Sequence, residues 1–280
     1  MAHGSTTAAG LLGDTATRDY SRKLKLFNAF AEPELREAIA SLALRPGMNV
    51  LDAGCGTGEA LGWLAAEVSP GAVVGIDMAT AHVNAARSVA PQSSLVLQGD
   101  LLAPPLEPES FDLAWSVNVI NHLRSPSAGV DALRTLLRPG GRIALGQSSL
   151  LPDMYFAWDS RLERLVNEAV RQYYRDRYRL DERDLADVRA IFGLLRKAGL
   201  KNVRARTFMI ERVSPMRPAD ESYLVEAIFR DTWSGRLQPY LSQSDRQALM
   251  RLCDPAHADF ALRRDDFHFL QTFTLAIGEV

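Results

Sequence analysis

One short stretch of this chain brings together residue types that could do chemistry: Val50-Leu51-Asp52-Ala53-Gly54-Cys55-Gly56-Thr57-Gly58. An apolar run from Met48 to Leu51 ends in a carboxylate and then in glycines at every second position. Leu61, Leu64, Ala65 and Val68 follow at helical spacing, so a buried strand turns into a helix through a loop almost bare of side chains. Such a loop lets a ligand lie against backbone at the carboxyl end of a strand, where open α/β sheets bind ligands. A dinucleotide site wants G-x-G-x-x-G, with pyrophosphate resting on the helix N-terminus. Here Glu59 stands where the third glycine belongs, and its carboxylate suits the helix dipole but repels a pyrophosphate. The spacing suits instead a nucleoside with a cationic or amine-bearing tail: Asp52 can face the amine, and Gly54, Gly56 and Gly58 admit the nucleoside. Cys55 could be a nucleophile, but a buried loop cysteine more often acts as a small hydrophobe. A second carboxylate, Asp77, closes the apolar strand 72–76 about 20 positions beyond the glycines. At a strand end it is placed to accept hydrogen bonds from ribose hydroxyls.

These residues need a frame to position them, and the apolar pattern supplies it. Helical spacing through Val83, Ala86 and Ala90 runs until Pro91 stops it, and a third strand spans 95–97. A fourth strand covers 111–116 after a loop rich in proline, followed by Asn118, Asn121 and His122 and a helix from about 126 to 137. The turn Leu137-Arg138-Pro139-Gly140-Gly141-Arg142 then leads into a fifth strand, 143–145. Five strands separated by helices and loops over residues 48–147 are the pattern of a parallel sheet covered on both faces.

Asp52-x-Gly54-x-Gly56-x-Gly58 resembles the first motif of class I S-adenosylmethionine-dependent methyltransferases, and the L-x-P-G-G-x turn before the fifth strand is common in that family. The ordered matches cover about the first half of the chain. The resemblance implies a Rossmann-like three-layer α/β fold, with a seven-stranded, mostly parallel sheet whose last strand is antiparallel, plus a helical cap. It implies S-adenosyl-L-methionine as cofactor and S-adenosyl-L-homocysteine as product. The donor would then be held by Asp52, Gly54, Cys55, Gly56, Gly58 and Asp77, with Met78 packing on the adenine and Asp100 and the backbone at Leu101 receiving its amino group. Asn118 joins this set at the end of the fourth strand, where it could also orient a substrate or cap the next turn. Tyr20 is a candidate lid over the donor, since similar enzymes often bring an N-terminal aromatic there; it could equally pack at the start of the first helix.

Beyond residue 147, a helix with Leu185, Val188, Ile191, Phe192 and Leu195 should end at Gly199, followed by a strand at 203–209. The apolar run 267–277 should return as the last strand. Segments 148–186 and about 210–266 exceed plain connections, which run ~4–6 residues, and both have helical periodicity. They are expected to be cap insertions in a methyltransferase domain spanning 48–280, with residues 1–47 an N-terminal arm and helix covering the donor site. The first insertion carries Tyr155, Trp158 and Tyr173 among many arginines, which suggests an aromatic pocket for an acidic or phenolic acceptor. The same arginines could simply pair with Asp176, Asp181 and Glu182 on a solvated face. Asn121 is a further substrate-binding candidate. His122, just past the fourth strand, is the candidate general base, though a histidine there can also pack or cap.

The chain has 280 residues, 47% of them hydrophobic, enough for one substantial core. Its formal net charge of −2 leaves no electrostatic footprint for nucleic acid or anionic membrane. No apolar run approaches the ~20 residues needed to span a bilayer. Residues 1–17 lack a basic start and a long apolar segment, so no signal peptide is expected, but rather a disordered arm or one that orders over ligand. Cys55 and Cys253, the two cysteines, lie far apart without metal-like spacing, and a reduced cytoplasmic chain with no bound metal is expected. The reading is S-adenosylmethionine-dependent methyl transfer to a small-molecule acceptor, at oxygen or carbon, by a chain for which a homodimer is a possible assembly. The alternatives are a methyltransferase-fold enzyme that uses the bound donor for cyclisation or decarboxylation, and a non-catalytic donor-binding regulatory protein.

Overall fold

Every residue of Val50–Ala53 (β1) is buried, as a strand covered on both faces requires. The computed structural model describes residues 19–148, 155–156, 159–178, 190–233 and 235–280. Trp158, Leu185, Val188 and residues 1–18 lie outside them. The elements run α1 (Ser21–Ala40), β1, α2 (Glu59–Val68), β2 (Val73–Asp77), α3 (Thr80–Val89), β3 (Ser94–Gln98), β4 (Phe111–Val117), α4 (Pro126–Thr135) and β5 (Leu137–Ser148). A two-residue β6 (Tyr155–Phe156), α5 (Ser160–Tyr178), α6 (Ile191–Lys197), β7 (Lys201–Val213), α7 (Pro218–Ser222), a π-helix (Tyr223–Trp233), α8 (Gln243–Cys253) and β8 (His268–Glu279) follow.

Seven strands lie in the order β3-β2-β1-β4-β5-β8-β7. The pairs among the first five are parallel, and β8 runs antiparallel between β5 and β7. This is the expected sheet, with one addition: β6 pairs with the start of β8 through Tyr155↔Leu270 and Phe156↔Phe269. After β3 the chain crosses back to place β4 beside β1, so strand order reverses between β1 and β4 and leaves a crevice at their carboxyl ends. One core packs α1 and α2 on a face of the sheet through Phe30, Leu35, Leu64 and Trp115. The other packs α4 and α6 on the opposite face through Leu133, Leu195, Ile143 and Ala276.

Two strands exceed the stretches the apolar pattern marks. β5 begins at Leu137 rather than 143, because Gly140, at φ +78°, bends the chain while pairing continues, and the register with β4 shifts between Phe111 and Leu113. β7 reaches Val213, because β8 offers it partners as far as His268. Gly199, at φ +78°, stops α6 as a left-handed residue just past a helix end should.

α1 packs against α2, α3, α7, β7 and the π-helix. Its anchor is Arg212 of β7, which is 9% exposed and donates to Glu34 Oε1 (2.8 Å), Asp220 Oδ1 (2.9 Å) and the carbonyl of Phe30 (2.5 Å). Its guanidinium also lies 4.7 Å from the centre of the Phe30 ring, which in turn stacks on Tyr223 at 4.4 Å. Burial alone would raise the Asp220 carboxyl, but Arg217 and Arg212 outweigh it and hold the group below the usual carboxylate range. Arg212→Ala leaves Glu34 and Asp220 short of a partner, and is expected to cost about 3–5 kcal/mol. A guanidinium unfolding midpoint indistinguishable from wild type would refute that estimate.

Candidate donor-binding site

The loop after β1 is held by backbone bonds from Gly54 N and Cys55 N to the carbonyl of Ile76, at 2.8 and 3.0 Å. It needs glycine for two separate reasons. Gly54 and Gly58 sit at φ +80° and +90°, in the left-handed region. A Cβ on Gly54 would also come within 2.2 Å of the Val119 side chain, and one on Gly58 within 2.8 Å of the Ala86 backbone. Bare backbone therefore lets Val119 pack against the loop and α3 approach the start of α2 closely. Cys55 is buried, and burial, reinforced by Asp52 and Asp77, pushes its thiol far above the usual range, so it is no nucleophile at neutral pH.

Asp52, third residue of β1, is 3% exposed, and its Oδ2 has no hydrogen-bond partner. Burial, followed by repulsion from Asp77 and Glu59, pushes its pKa up to about 8. A buried carboxyl with an idle oxygen asks for a cation, which is the chemistry of an amine-bearing tail.

Asp77 ends β2, one strand away. Its Oδ2 accepts from Gly56 N at 3.0 Å and its Oδ1 from Ala79 N at 2.9 Å, with His82 Nδ1 at 3.2 Å from the same Oδ1. Glu59 accepts from Thr57 Oγ1 at 2.6 Å and from Asn28 Nδ2 of α1 at 2.7 Å. Met78 is half-buried and packs on the second core. Asp100, past the end of β3, accepts from Leu102 N at 2.9 Å, and Leu101 beside it is buried.

At the end of β4, Asn118 adopts φ +56° and binds Ser148 twice: its Oδ1 accepts from Ser148 N at 2.8 Å and its Nδ2 donates to Ser148 Oγ at 3.2 Å. That side chain ties β4 to the end of β5. Asn121, in the 3-10 turn Ile120–His122, keeps a buried Oδ1 without a partner. The half-buried His122 has its pKa pushed down to about 4 by burial, with Asp77 opposing and Lys23 and His82 reinforcing.

Tyr20 directly precedes α1, and its carbonyl accepts from Leu24 N at 3.0 Å. The same end of α1 meets the loop, since a Cβ on Gly56 would lie 3.2 Å from Leu24 Cδ1. Lys23 reaches across to Thr232 Oγ1 of the π-helix at 3.2 Å. π-helices are rare and often mark functional sites.

The structure thus gathers Asp52, the glycines, Asp77, Asp100 and the Asn118–His122 segment at neighbouring strand ends, with the start of α1 against the glycine loop. Tyr155 lies in β6, at the far end of β8 from the β5 pairing. Tyr173 of α5 packs with Tyr174 at 5.9 Å, with Arg236 at the same distance from its ring centre. Of the arginines on α5, Arg161 pairs with Asp245 at 2.8 Å and Arg175 with Glu168 at 3.1 Å. Asn28 and Lys23 carry no sequence signal, because each meets its partner only through folding, and His82 meets Asp77, five positions before it, outside any motif. Among the described residues, no cluster of three His, Cys, Asp or Glu is placed to hold a metal, and no helix is long and apolar enough to cross a membrane.

The family model of the methyltransferase domain matches residues 51–145. Nocamycin O-methyltransferase of Saccharothrix syringae is 31% identical over 235 residues, covering 78% of this chain and 80% of the relative. Malonyl-[acyl-carrier protein] O-methyltransferase of Pseudescherichia vulneris is 30% identical over 152 residues, 51% of this chain and 59% of the relative. The chain spans about half the length of the first curated relatives it matches, 45% and 59%. Among solved structures, the 4+2 cyclase SpnF is 16% identical with a TM-score of 0.54, covering 98% of each chain, a likeness of fold.

Proposed function

We propose that this chain, which belongs to the class I S-adenosylmethionine-dependent methyltransferases, moves the methyl group of S-adenosylmethionine to an oxygen or carbon atom of a small-molecule acceptor. The observation that carries the reading is the buried Asp52 carboxyl with its idle Oδ2, in the strand beside which the strand order reverses. When bound, the donor supplies a methyl carbon already activated by its sulfonium.

The chain's own residues bind, orient and exclude water. Asp52, as carboxylate, holds the amine end. Asp77 takes the ribose, while Met78, Asp100 and Leu101 frame the adenine. The start of α1, with Tyr20 and Leu24, covers the glycine loop. His122 is neutral at pH 7 and, with a pKa of about 4, only a weak base. Acceptors that ionise readily, such as carboxylic acids, acidic phenols and enols, therefore fit this site better than simple alcohols. The acceptor enters from the side bounded by α1, the Asn121–His122 turn and the two inserted segments. The O-methyltransferases among the relatives support a small molecule as that acceptor.

Incubation with methyl-labelled S-adenosylmethionine and a panel of phenols, quinones and polyketide-like acids tests the reading. Label in the product supports it. Donor-dependent product without label points to another reaction on the same fold, and no turnover points to a donor-binding regulator. For the acceptor side, Trp158→Ala is expected to lower turnover by about tenfold, or ~1.4 kcal/mol of transition-state stabilisation, with S-adenosylhomocysteine affinity unchanged. The reverse result, weaker donor binding with normal acceptor kinetics, would remove Trp158 from the acceptor pocket.

A further inference from the structure

His82 sits in the first turns of α3, 7% exposed, where α1 packs on that helix. Its Nδ1 lies 3.2 Å from Asp77 Oδ1. A carboxylate can only accept, so that nitrogen carries the proton and donates it. The other ring nitrogen, Nε2, is buried without a hydrogen-bond partner. A helix of this kind would ordinarily fill such a position with an apolar residue, as Val83 and Ala86 do beside it. An imidazole with one idle nitrogen is a poor core residue, and its useful contact is the one to Asp77.

Asp77 has about four acceptor positions. The backbone N–H groups of Gly56 and Ala79 take one on each oxygen, and His82 takes the second on Oδ1. The position left over lies on Oδ2. Two backbone donors and one ring thus fix the rotamer, and the ring is the only one of the three that a mutation can remove without breaking a loop.

We infer that His82 is a positioning residue for the methyl donor: by donating Nδ1–H to Asp77 it holds the carboxylate so that the open position on Oδ2 faces a ribose hydroxyl. The inference rests on the reading that Asp77 binds the ribose, and the test separates the two. Affinities of S-adenosylhomocysteine and of its 2′,3′-dideoxyribose counterpart are measured by calorimetry for wild type, Asp77→Asn, His82→Leu and His82→Asn. Wild type is expected to prefer the ribose form by about tenfold or more, the worth of a hydrogen bond to a charged group. Asp77→Asn should lose most of that preference. His82→Leu fills the space without a donor and should cut the preference at least about threefold, a coupling between ring and hydroxyls. His82→Asn, whose amide nitrogen can stand in for Nδ1, should restore it.

A purely structural histidine would lower affinity for both ligands equally and leave the preference intact. If His82→Leu keeps the full preference while Asp77→Asn loses it, the inference is overturned and the Asp77 reading stands. If Asp77→Asn keeps it too, the ribose reading falls, and the inference with it. Should His82→Leu fail to fold, His82→Ala measured beside His82→Asn decides the same question: equal preferences in the two overturn the inference.

Discussion

Asp52→Asn is expected to make the empty protein more stable and to weaken donor binding about 100-fold at pH 8. The Asp52 carboxyl is held at about 8, well above its ordinary 3.8, by burial first and then by Asp77 and Glu59. The folded state therefore keeps a proton that the unfolded chain releases. Between about pH 4 and pH 8 the native state binds more protons than the unfolded one, so stability falls as pH rises through that window. Above pH 8 the penalty levels off, on the order of 4–6 kcal/mol for a shift of this size. Asparagine does not titrate and escapes it. Thermal melts of wild type and Asp52→Asn should thus run close together near pH 5 and separate by several degrees near pH 8, with the variant higher.

Donor binding should show the mirror image. Only the carboxylate pairs with an ammonium, so wild-type affinity is expected to rise about tenfold per pH unit up to about pH 8, where the ligand's own amine, with pKa about 7.7–8.0, begins to deprotonate. At pH 7, binding should release a proton, visible as a calorimetric heat that depends on the buffer. Asp52→Asn should lose the rise and bind about 100-fold more weakly at pH 8, as expected when one partner of a buried charge pair is removed. Equal melting slopes and equal affinities would mean that Asp52 is neither strained nor facing the donor.

The second large effect separates two glycines only four residues apart. Gly58 combines φ +90° with the Ala86 backbone 2.8 Å from where a Cβ would stand. Gly62, inside α2, has open space at that point. Gly58→Ala therefore meets a left-handed penalty of ~1–2 kcal/mol and an overpacking cost of ~1–3 kcal/mol. It cannot relieve the clash by turning a side chain, because the obstacle is main chain, and α2 must move off α3. Gly62→Ala removes backbone freedom from a helix interior and should stabilise by about 0.5–1 kcal/mol. Guanidinium titrations should place the two variants on opposite sides of wild type. A Gly58→Ala variant as stable as wild type would show that the loop has room to spare, and donor affinity would then be expected to survive as well.

What could be read from the chain alone is what consecutive residues decide. The strand ending in Asp52, the alternating glycines and the acidic end of the next strand sit within about thirty residues, and their chemistry follows from residue type and spacing. The sheet was legible for the same reason: each strand is an apolar run, and helices between parallel strands leave few arrangements. The tertiary structure decided what depends on partners far away in sequence. Glu59 is taken up by Asn28 of α1, 31 positions earlier, and Arg212 ties itself to Glu34 across 178 positions. His122 looked like a base from its place after the fourth strand, but burial leaves it weak. His82, only five positions from Asp77, has no motif of its own, and the turn from β2 into α3 sets its ring against that carboxylate. β5 and β7 outran their apolar runs because β4 and β8 had hydrogen bonds to offer. A residue's type fixes what it can exchange with a neighbour; which neighbour it meets, and how much water is left between them, is set by the packed chain.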